Sequence, residues 1–244
     1  MKNEQAAFLK GRVIYHTKDI AVVNKQIGEI CETTVKDKSL SLISNLRGEL
    51  EECFGCAAPD VQAVHRIDQP VSGCVLLART PEVCAALSAE FSSGRTRKRY
   101  LAVTEKPASP LTADSGVMEH FIRFDSKHHK AYTFPFAEKP PADGVWKKAA
   151  LEWKLAGEGD KYLFLIIHPL TGRTHQIRAQ LSASGMPIKG DLKYGARRSD
   201  PRGGIRLHAS RIQFYLPGTG DVCTVTAPIF DPDNLWNAFP LQDD

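Results

Sequence analysis

The chain has 244 residues, 42% of them hydrophobic and 25% charged, enough to bury a sizeable core without disulfide or metal staples. No apolar run approaches the roughly 20 residues that span a bilayer. The N-terminus MKNEQAAFLK lacks the apolar stretch of a signal peptide, so a cytoplasmic protein is expected, with its six cysteines reduced. The net charge of +4, from 32 basic and 28 acidic residues, permits a nucleic-acid partner without requiring one.

In chain order, residues 12–25 read as strands, Val13-Ile14-Tyr15 and then Ile20–Val23, with a polar turn between them. Leu42, Leu46, Leu50 and Cys53 recur at helical spacing, which predicts one amphipathic helix over 38–53 stopped by Gly55. VQAVH at 61–65 reads as a strand, and GCVLLAR at 73–79 as a second, buried one. Thr80-Pro81 opens a helix whose face is Val83, Leu87 and Phe91, ending at Gly94. KRYLAVTE, GVMEHFIRF, KAALEWKLA and KYLFLIIH follow as strands, with PPADG at 140–144 as the exposed loop. A helix falls within 174–184, stopped by Gly185, and strands at 206–215 and 222–227 close the chain. Strands linked as hairpins, with scattered helices and no regular βαβ alternation, predict an α+β class with a mixed, largely antiparallel central sheet. No linker separates two independent domains. The expected organisation is an N-terminal extension, 1–11, and one catalytic domain, 12–240, with no separate upstream RNA-binding domain.

Several familiar sites are absent. The sequence holds no GxxxxGK[ST], GxGxxG, HExxH or GxSxG. Cys53-Phe-Gly-Cys56 has metal-ligand spacing, but nothing completes a tetrahedral set, so no metal is expected. Arg95, Arg97, Lys98 and Arg99 form one basic cluster, and Arg197, Arg198, Arg202 and Arg206 a second; either can be a solvated face.

Two polar blocks remain. In HRIDQPVSG, 65–73, Asp68 sits between two apolar segments, where desolvation penalises a carboxylate. An aspartate that merely caps its own turn satisfies the same pattern. In HPLTGRTHQIRAQLSASGMPIKGDLKYG, 168–195, Arg178 falls early in a helix, where the dipole disfavours a cation unless it serves another group. A surface arginine would also fit. Gly190, Asp191, Tyr194 and Gly195 read as a structured turn.

Together these blocks resemble the RluA family of RNA pseudouridine synthases. HRIDQPVSG resembles its His-Arg-Leu-Asp signature, KRYLA at 98–102 its Lys-x-Tyr-x-Ala motif, and LTGRTHQIRAQL with GDLKYG its third block. RLHA at 206–209 and IAVVNKQIG at 20–28 resemble the last and first. The matches keep the family's order over about residues 13–228.

The resemblance implies the pseudouridine synthase fold, with Asp68 as catalytic aspartate and Arg178 as its salt-bridge partner. Tyr100 would stack on the target uracil, Leu207 would wall the pocket, and Arg66 would fill the space left by the flipped nucleotide. Arg95, Arg97, Lys98, Arg173 and Thr174 are candidates for RNA-backbone contact. His65 is expected to be a hydrogen-bonded structural histidine. Ile67 for Leu, Gln69-Pro70-Val71 for a charged residue, a variable residue and Thr, and Gln26 for Pro are the departures.

Uridine isomerisation imports no group and oxidises nothing, so no cofactor is implied. The expected partner is ribosomal or transfer RNA, as a compact stem-loop, bound by a monomer and without a membrane. A silent RNA-binding protein would share the scaffold. A base-excising glycosidase would need a second carboxylate, for which Asp191 is the nearby candidate.

Overall fold

The computed structural model of the protein describes residues 11–31, 41–57 and 60–240. The start of the helix predicted over 38–53, residues 38–40, lies outside the described residues, as does most of the expected extension 1–11. The chain forms two compact units. One comprises the residues up to Lys98 together with Ala209–Phe230, and the other Arg99–His208 together with the residues from Asp231 onward.

In the first unit, β1 (Val13–His16), β2 (Ile20–Lys25) and β4 (Ser72–Ala78) lie side by side, with the short β3 (Gln62–Ala63) also on β4. β2 and β4 run antiparallel from Ile20 opposite Ala78 to Lys25 opposite Gly73. All six residues of β2 are buried, as their near-continuous apolar run requires of a central strand. Ile20, Val22, Leu76, Leu87, Ile212 and Phe214 form the core. Leu87 comes from α3 (Pro81–Ser92), where the Thr80 side chain accepts from the Val83 N–H and Pro81 occupies the first turn.

Two predicted elements differ. The helix over 38–53 is α1 (Leu42–Asn45) and α2 (Arg47–Phe54), interrupted at Leu46. Hydrogen bonds from Leu46 N–H to Leu42 O (3.1 Å) and from Leu50 N–H to Leu46 O (2.9 Å) run through the interruption. Leu42, Leu46 and Leu50 therefore keep one buried face, and Gly55, with φ of 62°, ends the stretch.

The strand predicted over 61–65 pairs as a ladder only at Gln62 and Ala63. Beyond them the Leu76 N–H donates to the Nε2 of His65 at 3.1 Å. A side chain thus takes the place of the carbonyl that would have continued the ladder.

In the second unit, which takes in β5 (Arg97–Glu105) from Arg99 on, β6 (Ser115–Asp125), β7 (Lys130–Pro135), β8 (Lys147–Glu158) and β9 (Tyr162–Pro169) complete the order β5-β9-β8-β6-β7. Each of these pairings is antiparallel. β7 is an addition to the predicted strands. KAYTFP has little apolar alternation of its own and is held by its hairpin with β6, from Asp125 opposite Lys130 to His120 opposite Pro135.

α4 (Gln176–Ala183) packs Ala179 against Ile122, Ala131 and Ala149, and its Gln180 donates to the Met118 carbonyl at 2.9 Å. β10 (Leu207–Tyr215) pairs antiparallel with β11 (Val222–Thr226) from Arg211 onward, within the first unit. α5 (Asn234–Asn237), also unpredicted, is capped by the Asp233 side chain. Helices interspersed with sheet make an α+β fold.

Candidate active site

Asp68 lies in the first unit, in the link between β3 and β4, half-buried between the buried Ile67 and Val71. Its carbonyl accepts from the Val71 N–H at 3.0 Å, closing a tight turn. What rigidifies this turn is a residue that sequence reasoning left in a motif without a role.

Lys25, at the end of β2, is 0% exposed. Its ammonium donates to the carbonyls of Val71 (2.7 Å), Gln26 (2.9 Å) and Gln69 (3.1 Å). Three donors meet three backbone acceptors, so the buried charge is fully hydrogen-bonded. Burial lowers the Lys25 pKa to about 8, against the pull of Cys31, Glu29 and Asp68. The only signal in the sequence was a lysine, after Asn24, ending the apolar run of IAVVNK.

The same turn is bound a second time. Gly28 N–H donates to Gln69 O at 2.9 Å, and Gln69 Nε2 donates back to Gly28 O at 3.0 Å. Gln69, noted as a departure from the family pattern, thus has a structural role. Glu29 beside it accepts from Arg12 Nη1, Asn45 Nδ2 and the Gln26 N–H, each at 2.9 Å. Although burial opposes it, these donors hold the Glu29 carboxyl below its usual range. Gly73 follows with φ of 115°, and a Cβ there would stand 2.3 Å from the Ala209 carbonyl oxygen. Only glycine lets β4 approach β10 so closely.

His65 stacks on Phe91, with ring centroids 4.8 Å apart. Burial, assisted by the charge of Lys98, pushes its pKa down to about 3. The neutral ring accepts at Nε2 from Leu76, a structural histidine as its setting in the sequence suggested. Arg66, next to it, is exposed.

The first basic cluster divides. Arg97 is exposed. Arg95 pairs with Glu90 and lies 5.5 Å over the Tyr215 ring. Lys98 lies 5.8 Å over Phe91 and has its pKa lowered by burial, while Arg99 is buried.

In the second unit, Tyr100 on β5 and Leu207 at the start of β10 are 8% and 3% exposed. Arg178 on α4 is also buried. Its Nε donates to Asp191 Oδ2 at 2.6 Å and its Nη2 to Asp191 Oδ1 at 2.8 Å, with the Tyr194 ring 4.8 Å from its Cζ. The turn that read as merely structural therefore supplies a carboxylate to Arg178.

α4 starts without a side-chain cap, from His175 in the left-handed region (φ 56°). Gln176 compensates by folding back, its Oε1 accepting from Thr171 Oγ1 (2.7 Å) and from the Arg173 N–H (2.9 Å). Arg173 is exposed, with its Nε on the Lys148 carbonyl, and Thr174 is half-buried.

The second basic cluster is largely an ion-pair network. Arg206 is 5% exposed and bridges Asp200 and Asp233 at 2.6 Å each; Lys189 joins Asp200, Arg202 pairs with Asp231, and Arg197 pairs with Glu105. It presents less free positive charge than its composition suggests. Among the described residues, no three His, Cys, Asp or Glu side chains are placed to hold a metal ion.

Comparison with known proteins identifies the chain. A family model described as RNA pseudouridylate synthase matches residues 19–183. An uncharacterised RNA pseudouridine synthase of Zymomonas mobilis is 31% identical over 207 residues, covering 84% of this chain and 88% of its own. The tRNA pseudouridine synthase C of Yersinia pestis is 28% identical over 244 residues, covering 94% and 90%. The solved human RNA pseudouridylate synthase domain-containing 1 shares the fold, with a TM-score of 0.70 at 24% identity over 93% of this chain and 86% of that one. The protein belongs to the RNA pseudouridylate synthase family and is an isomerase that converts uridine to pseudouridine in RNA.

Proposed function

We propose that Asp68 is the catalytic carboxylate, that Arg178 holds it charged, and that the target uracil stacks on Tyr100 against Leu207. The observation that carries the reading is the double anchoring of the Asp68 turn, by the Lys25 ammonium and by the Gly28–Gln69 pair. A group that attacks ribose or base, or takes a sugar proton, must be held within tenths of an ångström. A turn needed only for chain reversal requires no buried ammonium.

The uridine must leave its stack, at a cost of a few kcal/mol. Stacking on an aromatic ring returns about 1–3 kcal/mol, and Arg66, exposed beside the turn, fills the vacated space. Arg97 and Arg173 are the exposed cations best suited to phosphate contacts, which orient the RNA without reading its sequence. Arg95, Lys98 and Thr174 contribute less, being paired or partly buried.

The substrate in this reading is transfer or ribosomal RNA, presented as a stem-loop to a monomer. The Yersinia relative, named for tRNA and aligned over nearly the whole chain, favours transfer RNA. The test is tritium release from uridine-labelled unmodified tRNA and rRNA. Asp68→Asn should bind RNA as the wild type does and release no tritium; wild-type rates from that variant would refute the assignment.

A further inference from the structure

The segment from Gly190 to Gly195 makes no ladder, only a single 3-10 turn at Leu192–Tyr194, yet its side chains enclose Arg178. Asp191 is 2% exposed and Arg178 5%. Two parallel N–H···O bonds, 2.6 and 2.8 Å, fix both the position and the plane of the guanidinium.

Tyr194 covers one face of that plane, 4.8 Å from Cζ. Its hydroxyl accepts from the Ala131 N–H at 2.7 Å and bonds His175 Nδ1 at 2.9 Å, so the ring is itself held. Ser182 of α4 donates to the Tyr194 carbonyl at 2.6 Å, tying the turn to the helix that carries Arg178. Gly190 lets the chain enter this arrangement: its φ is 91°, and a Cβ there would stand 2.9 Å from the Gly204 carbonyl oxygen.

A guanidinium carries five donors in one plane. Asp191 takes the Nε–Nη2 edge, which sets the plane in which a second carboxylate must approach. We propose that Asp191 is a positioning residue for the isomerisation, orienting the guanidinium of Arg178 for the catalytic carboxylate without touching the substrate. The proposal rests on the reading of Arg178 as the partner of Asp68.

The test is a double-mutant cycle in single-turnover tritium release from uridine-labelled unmodified RNA, with RNA affinity measured in parallel. Asp191→Asn keeps the shape and loses the charge-assisted fork; its rate should fall on the order of 10²-fold, as for a misplaced catalytic group, with RNA affinity unchanged. In an Arg178→Met background the same substitution should cost nothing further, because its effect passes through Arg178.

A wild-type rate for Asp191→Asn beside a slow Arg178→Met overturns the proposal alone, as do losses that multiply in the double variant. A wild-type rate for Arg178→Met refutes the reading of Arg178 and the proposal with it. Should Asp191→Asn fail to fold, nitrogen-15 NMR of the wild type decides. Separate, slowly exchanging Nη signals from Arg178 support a held guanidinium, and averaged, freely rotating ones overturn it.

Discussion

The Lys25 ammonium donates to the Val71 carbonyl at 2.7 Å, three residues beyond Asp68. A lysine on one strand thereby closes the turn that presents the carboxylate. Its other two bonds go to Gln26 and Gln69, and it has no exposure to water through which to replace any of them.

Lys25→Met should therefore take this donor from the Val71 and Gln26 carbonyls, while the Gln69 carbonyl keeps the Gly28 N–H. Each buried unsatisfied acceptor costs about 1–3 kcal/mol; relief of the buried charge offsets part of this. A net loss of roughly 2–4 kcal/mol is expected in urea unfolding. A variant as stable as the wild type would show that the three bonds contribute nothing.

His65 makes stability depend on acid. Its folded pKa, about 3, lies below its ordinary value of 6.5. Between these pH values the unfolded chain binds a proton that the folded ring does not. Its contribution is thus complete above pH 6.5 and lost as pH falls toward 3, up to roughly 3–5 kcal/mol. His65→Gln, which can still accept from the Leu76 N–H, should flatten the stability profile between pH 6.5 and 4. An unchanged acid slope in that variant would rule out His65 as its source.

Gly73 and Gly28 both have positive φ, 115° and 92°, but different surroundings. An added Cβ at Gly73 meets the Ala209 backbone at 2.3 Å, whereas at Gly28 it meets nothing within 4 Å. Gly28→Ala should cost about 1–2 kcal/mol of backbone strain. Gly73→Ala adds a clash that neither strand can relieve and should cost at least roughly 3 kcal/mol. Equal melting temperatures for the two would contradict the close approach.

Arg97 and Arg206 lie in the two basic clusters and should behave oppositely. Arg206→Met breaks a buried network with Asp200 and Asp233 and should lose roughly 3–5 kcal/mol of stability. It should leave the salt dependence of RNA binding intact. Arg97→Ala should be neutral for stability and lower the slope of log K against log salt by about 1. Binding titrations at several salt concentrations distinguish them.

Much of the fold was legible because burial leaves periodic traces. The continuous apolar run of β4, the Thr80-Pro81 start of α3 and the glycine stops at Gly55, Gly94 and Gly185 are local signals, and each stands where expected. β7 was not legible, because KAYTFP becomes a strand only through its partner β6. Neither was the early end of β3, where the His65 ring displaces a ladder bond.

The sequence by itself determined the family, and through ordered motifs it singled out Asp68, Tyr100, Arg178 and Leu207 as a set. Tertiary structure decided what those motifs do physically. It made Lys25 the clasp of the Asp68 turn, Asp191 the fork on Arg178, and Arg206 a buried ion pair. The reason is that a hydrogen bond or ion pair between residues far apart in the chain has no period and no local preference. Lys25 and Val71 are 46 residues apart, and nothing in either neighbourhood names the other.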